Sequence, residues 1–243
     1  MIYKAQPGQV SYGEAIGILL LDSSAPYIPG DVANATTYNF PVRFKKVPGL
    51  TVERIFNHDL SLLDGVIDAA HDLKKNGVRA VTGDCGFMAI YQQSLAEELD
   101  LPVFMSSLLQ VSFISLLLGG KDKIGILTAN AAALSSDVLK FCGAYLPERT
   151  VIAGLEDQPC FRSAFIEEAG KLDRDKVEAE VVSTALRMVQ SDPALKALLL
   201  ECSVLPPYGA AIQQAVGLPI FDYVTMINYV YSAVVKQRFN GFM

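Results

Sequence analysis

Val78-Arg79-Ala80-Val81-Thr82-Gly83-Asp84-Cys85-Gly86 is a strand-like run that ends in an acid–cysteine pair set between glycines, and its pattern occurs twice in the chain. Shifted by 117 residues, Asp84-Cys85 falls on Glu201-Cys202 without a gap. Tyr91 then meets Tyr208, Leu101-Pro102 meets Leu218-Pro219 and Phe104 meets Phe221. Arg79 pairs with Lys196, Leu95 with Ile212 and Val103 with Ile220. An earlier echo links Ile16-Gly17-Ile18-Leu19 to Ile124-Gly125-Ile126-Leu127. Two half-chains built alike imply a pseudo-twofold molecule with one thiol from each half facing the seam.

Around these copies, short apolar runs alternate with helical patterns. Strands are expected at Ala15–Leu21, Val42–Val47, Val78–Thr82, Val103–Met105, Lys123–Leu127, Val151–Ala153, Ala197–Leu200 and Pro219–Phe221. Helices are expected near 60–75, 88–99, 107–118, 131–143, 174–190, 206–215 and 223–238. Alternation of this kind favours parallel sheets covered by helices. The expected fold is therefore α/β, two similar flavodoxin-like lobes with the site in the cleft between them. The first lobe is expected over 1–119, completed by the C-terminal helix of 223–243, and the second over 120–222. Ligands of open parallel sheets bind at the carboxyl ends of the strands, where both cysteines stand.

Composition narrows the function. The chain has 243 residues, about half of them apolar, and a formal charge of −6 with no basic run, which argues against nucleic acid. The most apolar stretch, Val103 to Leu118, is broken by serines and Gln110, so a buried helix is expected and no membrane span. No targeting segment is visible, and reduced thiols in the cytoplasm are the expectation. Cys142 and Cys160 lie outside the repeat, and the four cysteines lack zinc-type spacing. GxSxG, Walker and GxGxxG patterns are absent, so no cofactor and no metal is expected.

Each cysteine sits where a strand turns into a helix, and N–H groups at a helix start favour a thiolate. Pro206-Pro207 suits the opening turn after Cys202. Strand alternation would point Asp84 and Glu201 away from the thiols; were they to approach, their charge would raise the thiol pKa. Asp22 and Ser23 end the first strand, and Thr128 to Asn130 end its counterpart; such polar clusters hold carboxylates or cap helices. Asp22 is a candidate acid–base helper. His71 is expected in solvent and His58 in a loop that resembles a helix start; neither pairs by spacing with another ligand.

The residues Ile16–Asp22, Gly83-Asp84-Cys85-Gly86, Ile124–Asn130 and Glu201-Cys202-Ser203, leading to Leu218-Pro219-Ile220-Phe221-Asp222, resemble the aspartate/glutamate racemase superfamily over nearly the whole chain. That superfamily includes hydantoin racemases, maleate isomerases and arylmalonate decarboxylases. The resemblance implies two α/β lobes, a small-molecule carboxylate or hydantoin as substrate, a homo-oligomer, and Cys85 and Cys202 as the paired acid and base. It places substrate contacts at Gly86, Phe87, Ser203 and Val204, with Ser23 and Thr128 to Asn130. Amino-acid racemases of the group carry Asn-Thr and Thr-His after the two cysteines; this chain has Gly86-Phe87 and Ser203-Val204, a more apolar pocket.

The reaction expected from the sequence is cofactor-independent racemisation or epimerisation by two thiols at the α-carbon of an amino acid, a hydantoin-like ring or a hydrophobic acid. The alternatives are a cis–trans isomerase or a decarboxylase of the same superfamily, a non-catalytic small-acid binder, and a thiol redox protein.

Overall fold

The computed structural model describes residues 2–243. Its first sheet runs β2-β1-β3, all parallel, from β1 (Ile16–Leu20), β2 (Val42–Lys46) and β3 (Ala80–Gly83). Its second runs β5-β4-β6-β7, also parallel, from β4 (Lys123–Thr128), β5 (Thr150–Gly154), β6 (Leu195–Leu200) and β7 (Ile220–Phe221). The registers repeat: Ile16 pairs with Val42 and Ala80, and Ile124 pairs with Thr150 and Ala197. The strand expected at Val103–Met105 is a single parallel bridge from Val103 to Val81, the place that β7 takes in the second lobe.

The helices are α1 (Val52–Phe56), α2 (Leu63–Lys75), α3 (Gln92–Glu98), α4 (Gln110–Leu117), α5 (Ser136–Phe141), α6 (Pro159–Phe161), α7 (Arg174–Ser191), α8 (Gly209–Val216) and α9 (Tyr223–Val234). Several are shorter than their patterns, because the first turn after a strand is tighter than an α-turn. Residues 60–62, 86–91, 107–109 and 206–208 are 3₁₀ turns that lead into α2, α3, α4 and α8. The expected helix at 131–143 shrinks to α5, whose N-cap Ser135 accepts from the Val138 N–H. Pattern reading passed over α1 and the turn of 159–166, both short.

The repeated Ile-Gly-Ile-Leu has a packing reason. A Cβ on Gly17 would meet Leu73 of α2 at 3.0 Å, and one on Gly125 would meet Met188 of α7 at 2.5 Å. Each glycine thus lets a helix lie close to the central strand of its sheet.

The two halves trade helices. Val111 and Ile114 of α4 are buried in one core with Ile124, Ile126 and Leu199 of the second sheet. Tyr223, Met226 and Ile227 of α9 are buried on Ile16, Ile18 and Ala80 of the first sheet. Each such side chain contributes about 1.5–3 kcal/mol. Polar bonds lock the exchange: Ser107 Oγ donates to the Glu201 carbonyl at 2.9 Å, and Tyr223 Oη donates to the Met105 carbonyl at 2.9 Å. Among the described residues no helix is long and apolar enough to cross a membrane.

Candidate active site

The two cysteine loops leave the carboxyl ends of β3 and β6 and meet at the seam. Each acid first binds across to the neighbouring central strand. The Asp84 N–H donates to the Leu19 carbonyl at 3.0 Å, and the Glu201 N–H donates to the Leu127 carbonyl at 2.8 Å. The loops then clasp. Ser203 Oγ donates to the Asp84 carbonyl, and the Val32 N–H donates to the Ser203 carbonyl at 3.4 Å. Gly86 lies on Glu201, where any Cβ would overlap the carboxyl group and stand 2.7 Å from the Glu201 carbonyl oxygen.

Both thiols line a single cleft at the seam. Its polar lining is Ser23, Tyr27, Asp84, Cys85, Cys202 and Ser203. Its rings are Phe56, Phe87 and Phe165, with Tyr27 at the edge, and Val204 lies beside them. No lysine, arginine or histidine is among the residues that line it. Ser23 and Tyr27 share a hydrogen bond between their hydroxyls, and the Ser24 N–H donates to Glu168 of the other lobe at 2.6 Å, bridging the lip of the cleft.

The electrostatics are those of a buried acidic pocket. Burial, then the charges of Cys202, Glu201 and Asp84, raise the Cys85 thiol well above its ordinary range, and the Phe87 N–H opposes this. Burial and then Glu201 raise Cys202, and the Val204 N–H opposes. Each thiol thus has one N–H from the turn that follows it as its favourable partner. Burial pushes Asp84 up to about 7 against the pull of the Leu21 N–H, which donates to Oδ1 at 3.0 Å. Burial likewise pushes Glu201 up to about 7 against Thr128 Oγ1, which donates to Oε2 at 2.8 Å. Glu201 Oε1 is buried with no hydrogen-bond partner. An unpaired buried anion is costly, which favours the protonated form of Glu201. Alternation along the strand expected both acids to point away; instead they are buried beside the thiols.

Of the site residues expected from sequence, the cleft gathers Ser23, Cys85, Phe87, Cys202, Ser203 and Val204. Four lie off it. Asp22 turns outward to Lys46 Nζ at 2.7 Å and the Gly49 N–H at 2.9 Å, bonds that lower its pKa. Gly86 is covered by Glu201, and Thr128 is spent on the Glu201 carboxyl. Asn130 caps the turn by accepting from the Ala133 N–H at 3.1 Å. Cys142 is buried in the core, its thiol pushed up to about 12 by burial, and Cys160 sits on α6. His71 pairs with Glu98 at 3.0 Å near the surface, and His58 Nε2 meets the Ala133 carbonyl at 2.9 Å. Sequence reading missed Tyr27, Phe56 and Phe165. They come from a loop, from α1 and from the turn after α6, none of which carries a chemical motif in the sequence.

The chain is 31% identical over 222 residues to a dimethylsulfoniopropionate lyase of Durusdinium sp. clade D, covering 88% of this chain and 73% of that protein. It belongs to the dimethylsulfoniopropionate lyase family. Dimethylsulfoniopropionate lyase 3 of Emiliania huxleyi (strain CCMP1516) is 33% identical over 224 residues, and the chain spans 58% of its length. No family model matches the chain. The fold is that of the aspartate/glutamate racemase superfamily. Allantoin racemase from Klebsiella pneumoniae superposes with a TM-score of 0.65 at 13% identity, covering 90% of this chain and 88% of that one. Arylmalonate decarboxylase superposes with a TM-score of 0.58 at 17% identity, covering 90% and 91%.

Family membership corrects the racemase or epimerase read from the sequence: the matching relatives are dimethylsulfoniopropionate lyases. The physical reason for the miss is the duplication. A duplicated fold places two thiols across a cleft whether the reaction uses both or one.

Proposed function

We infer that this chain cleaves dimethylsulfoniopropionate, or a closely similar β-sulfonio carboxylate, to dimethyl sulfide and acrylate. The observation that carries the reading is the similarity to such lyases over 88% of the chain. The cleft supports it.

The substrate is a zwitterion with a carboxylate on one side of its α-carbon and a sulfonium on its β-carbon. A thiolate takes the α-proton, the C–H electron pair becomes the carbon–carbon double bond, and the β-carbon–sulfur bond breaks with its pair left on sulfur. The products are neutral dimethyl sulfide, acrylate and a protonated cysteine. One base is enough, because no proton returns to the opposite face.

Cys202 is the better placed base: it is partly exposed to the cleft, whereas Cys85 is buried at 8% exposure. The rings of Phe56, Phe87 and Phe165 suit a sulfonium, which an aromatic face attracts through its quadrupole. A bound cation also favours the thiolate that burial opposes. The Ser23–Tyr27 hydroxyl pair, which keeps one O–H free, supplies a donor for a carboxylate whose negative charge grows during proton removal.

The test is headspace chromatography of dimethyl sulfide with NMR of acrylate. Equimolar products are expected from the native protein and none from the Cys85→Ala/Cys202→Ala double variant. No release by folded native protein, or undiminished release by the double variant, would overturn the reading.

A further inference from the structure

Resting on the lyase reading, the cleft raises a further question: what balances the positive charge of such a substrate in a largely apolar site? Asp84 is the only carboxylate among the lining residues, 6% exposed and anchored through Oδ1 to the Leu21 N–H. Its counterpart Glu201 is shut away behind Gly86 and does not line the cleft.

We propose that Asp84 is the counter-charge of an onium subsite, its carboxylate acting with the rings of Phe56, Phe87 and Phe165 to select a cationic end group over a neutral one of the same shape. The rings alone would accept any apolar group of that size. A fixed carboxylate makes the site discriminate by charge, and in a low-dielectric cleft that discrimination is strong.

The titratable groups that feel the charge of Asp84 are thiols, a carboxyl and phenols. From its own loop comes Cys85, and from the facing loop comes Cys202. From the segment after β1 come Tyr27, Asp31 and Tyr38, and from α9 comes Tyr223. With no basic side chain on the cleft wall, the arriving cation is the carboxylate's only full counter-charge there. Binding therefore expels the proton that Asp84 partly carries at neutral pH. Loss of the positive charge on carbon–sulfur cleavage then makes the carboxylate more basic, ready to hold a proton again.

The experiment compares two unreactive-end probes of matched shape by calorimetry: 3-(trimethylammonio)propanoate and its neutral carbon isostere, 4,4-dimethylpentanoate. The native protein is expected to prefer the ammonium probe by about tenfold or more at pH 8. It is also expected to release protons on binding that probe near pH 7, seen as a buffer-dependent heat, and to lose most of the preference at pH 5. Asp84→Asn should abolish both the preference and the proton release while keeping affinity for the neutral isostere. An unchanged preference in Asp84→Asn, or in the native protein at pH 5, would overturn the proposal; the pH comparison decides it should the variant not fold. Dimethyl sulfide release without onium preference would sink the subsite alone, and onium preference without release would sink the lyase reading alone.

Discussion

The two cysteine loops are the same piece of chain used twice, yet they are not equivalent. In the first, Asp84 lines the cleft, Cys85 is buried and Gly86 lies against Glu201. In the second, Glu201 is sealed with one oxygen unpaired, Cys202 is partly exposed and Ser203 reaches across to the Asp84 carbonyl. One methylene separates the two acids, and it sends the longer one under the opposite loop. Symmetry of backbone has thus been kept while the chemistry divides, a partly exposed thiol on one side and a buried carboxylate on the cleft wall on the other.

The sharpest way to break this comparison is to remove the thiols singly. Cys202→Ala should lower the rate of dimethyl sulfide release by about 10²–10⁴-fold, the usual worth of a positioned base, and Cys85→Ala by much less. Equal losses would mean that both loops act.

The next contrast is steric. Gly86→Ala forces a methyl group into the Glu201 carboxyl and should cost about 2–4 kcal/mol, read as a lowered urea midpoint. Ser203→Ala at the matched position removes one hydrogen bond and should cost about 1 kcal/mol. Similar costs would show that the clasp is not built from Gly86 on Glu201.

A smaller effect comes from pH. Burial raises the Asp84 and Glu201 carboxyls from ordinary values of 3.8 and 4.5 to about 7. The folded chain therefore binds more protons than the unfolded chain between roughly pH 4 and 7, and its stability falls as pH rises through that window. Glu201→Gln should flatten the decline by about 1–3 kcal/mol between pH 5 and 8, measured by denaturant titration at each pH. A decline that keeps its full slope in the variant would place the cost elsewhere.

The smallest change is expected at Asp22, the residue that sequence position favoured as an acid–base helper. Its carboxyl is bound to Lys46 and Gly49 away from the cleft. Asp22→Asn should keep cleavage within about twofold, as surface changes of this kind do; a larger loss would return Asp22 to the site.

Much of the fold was legible because its signals are local. Apolar runs, the echo of Ile16–Leu19 in Ile124–Leu127 and the paired Asp84-Cys85 and Glu201-Cys202 each lie within a few residues. The positions that the superfamily resemblance named beside the thiols, Ser23, Phe87, Ser203 and Val204, lie on the wall of the same cleft. Tyr27, Phe56 and Phe165 were not legible, since a ring carries no sign of which cleft it will face until α1 and the turn after α6 are packed. Gly86 was misplaced because its neighbour in space, Glu201, lies 115 residues away along the chain.

What the sequence by itself determined was a duplicated parallel α/β architecture with one thiol at each matched strand end. The strand period, the glycines under α2 and α7 and the turn after each strand are all written within short stretches of chain. What only the tertiary structure decided was the division of labour across the seam: which acid lines the cleft, which is sealed, and which rings close round it. Those outcomes depend on side chains of different lengths competing for one volume, and that competition begins only when the two lobes close on each other.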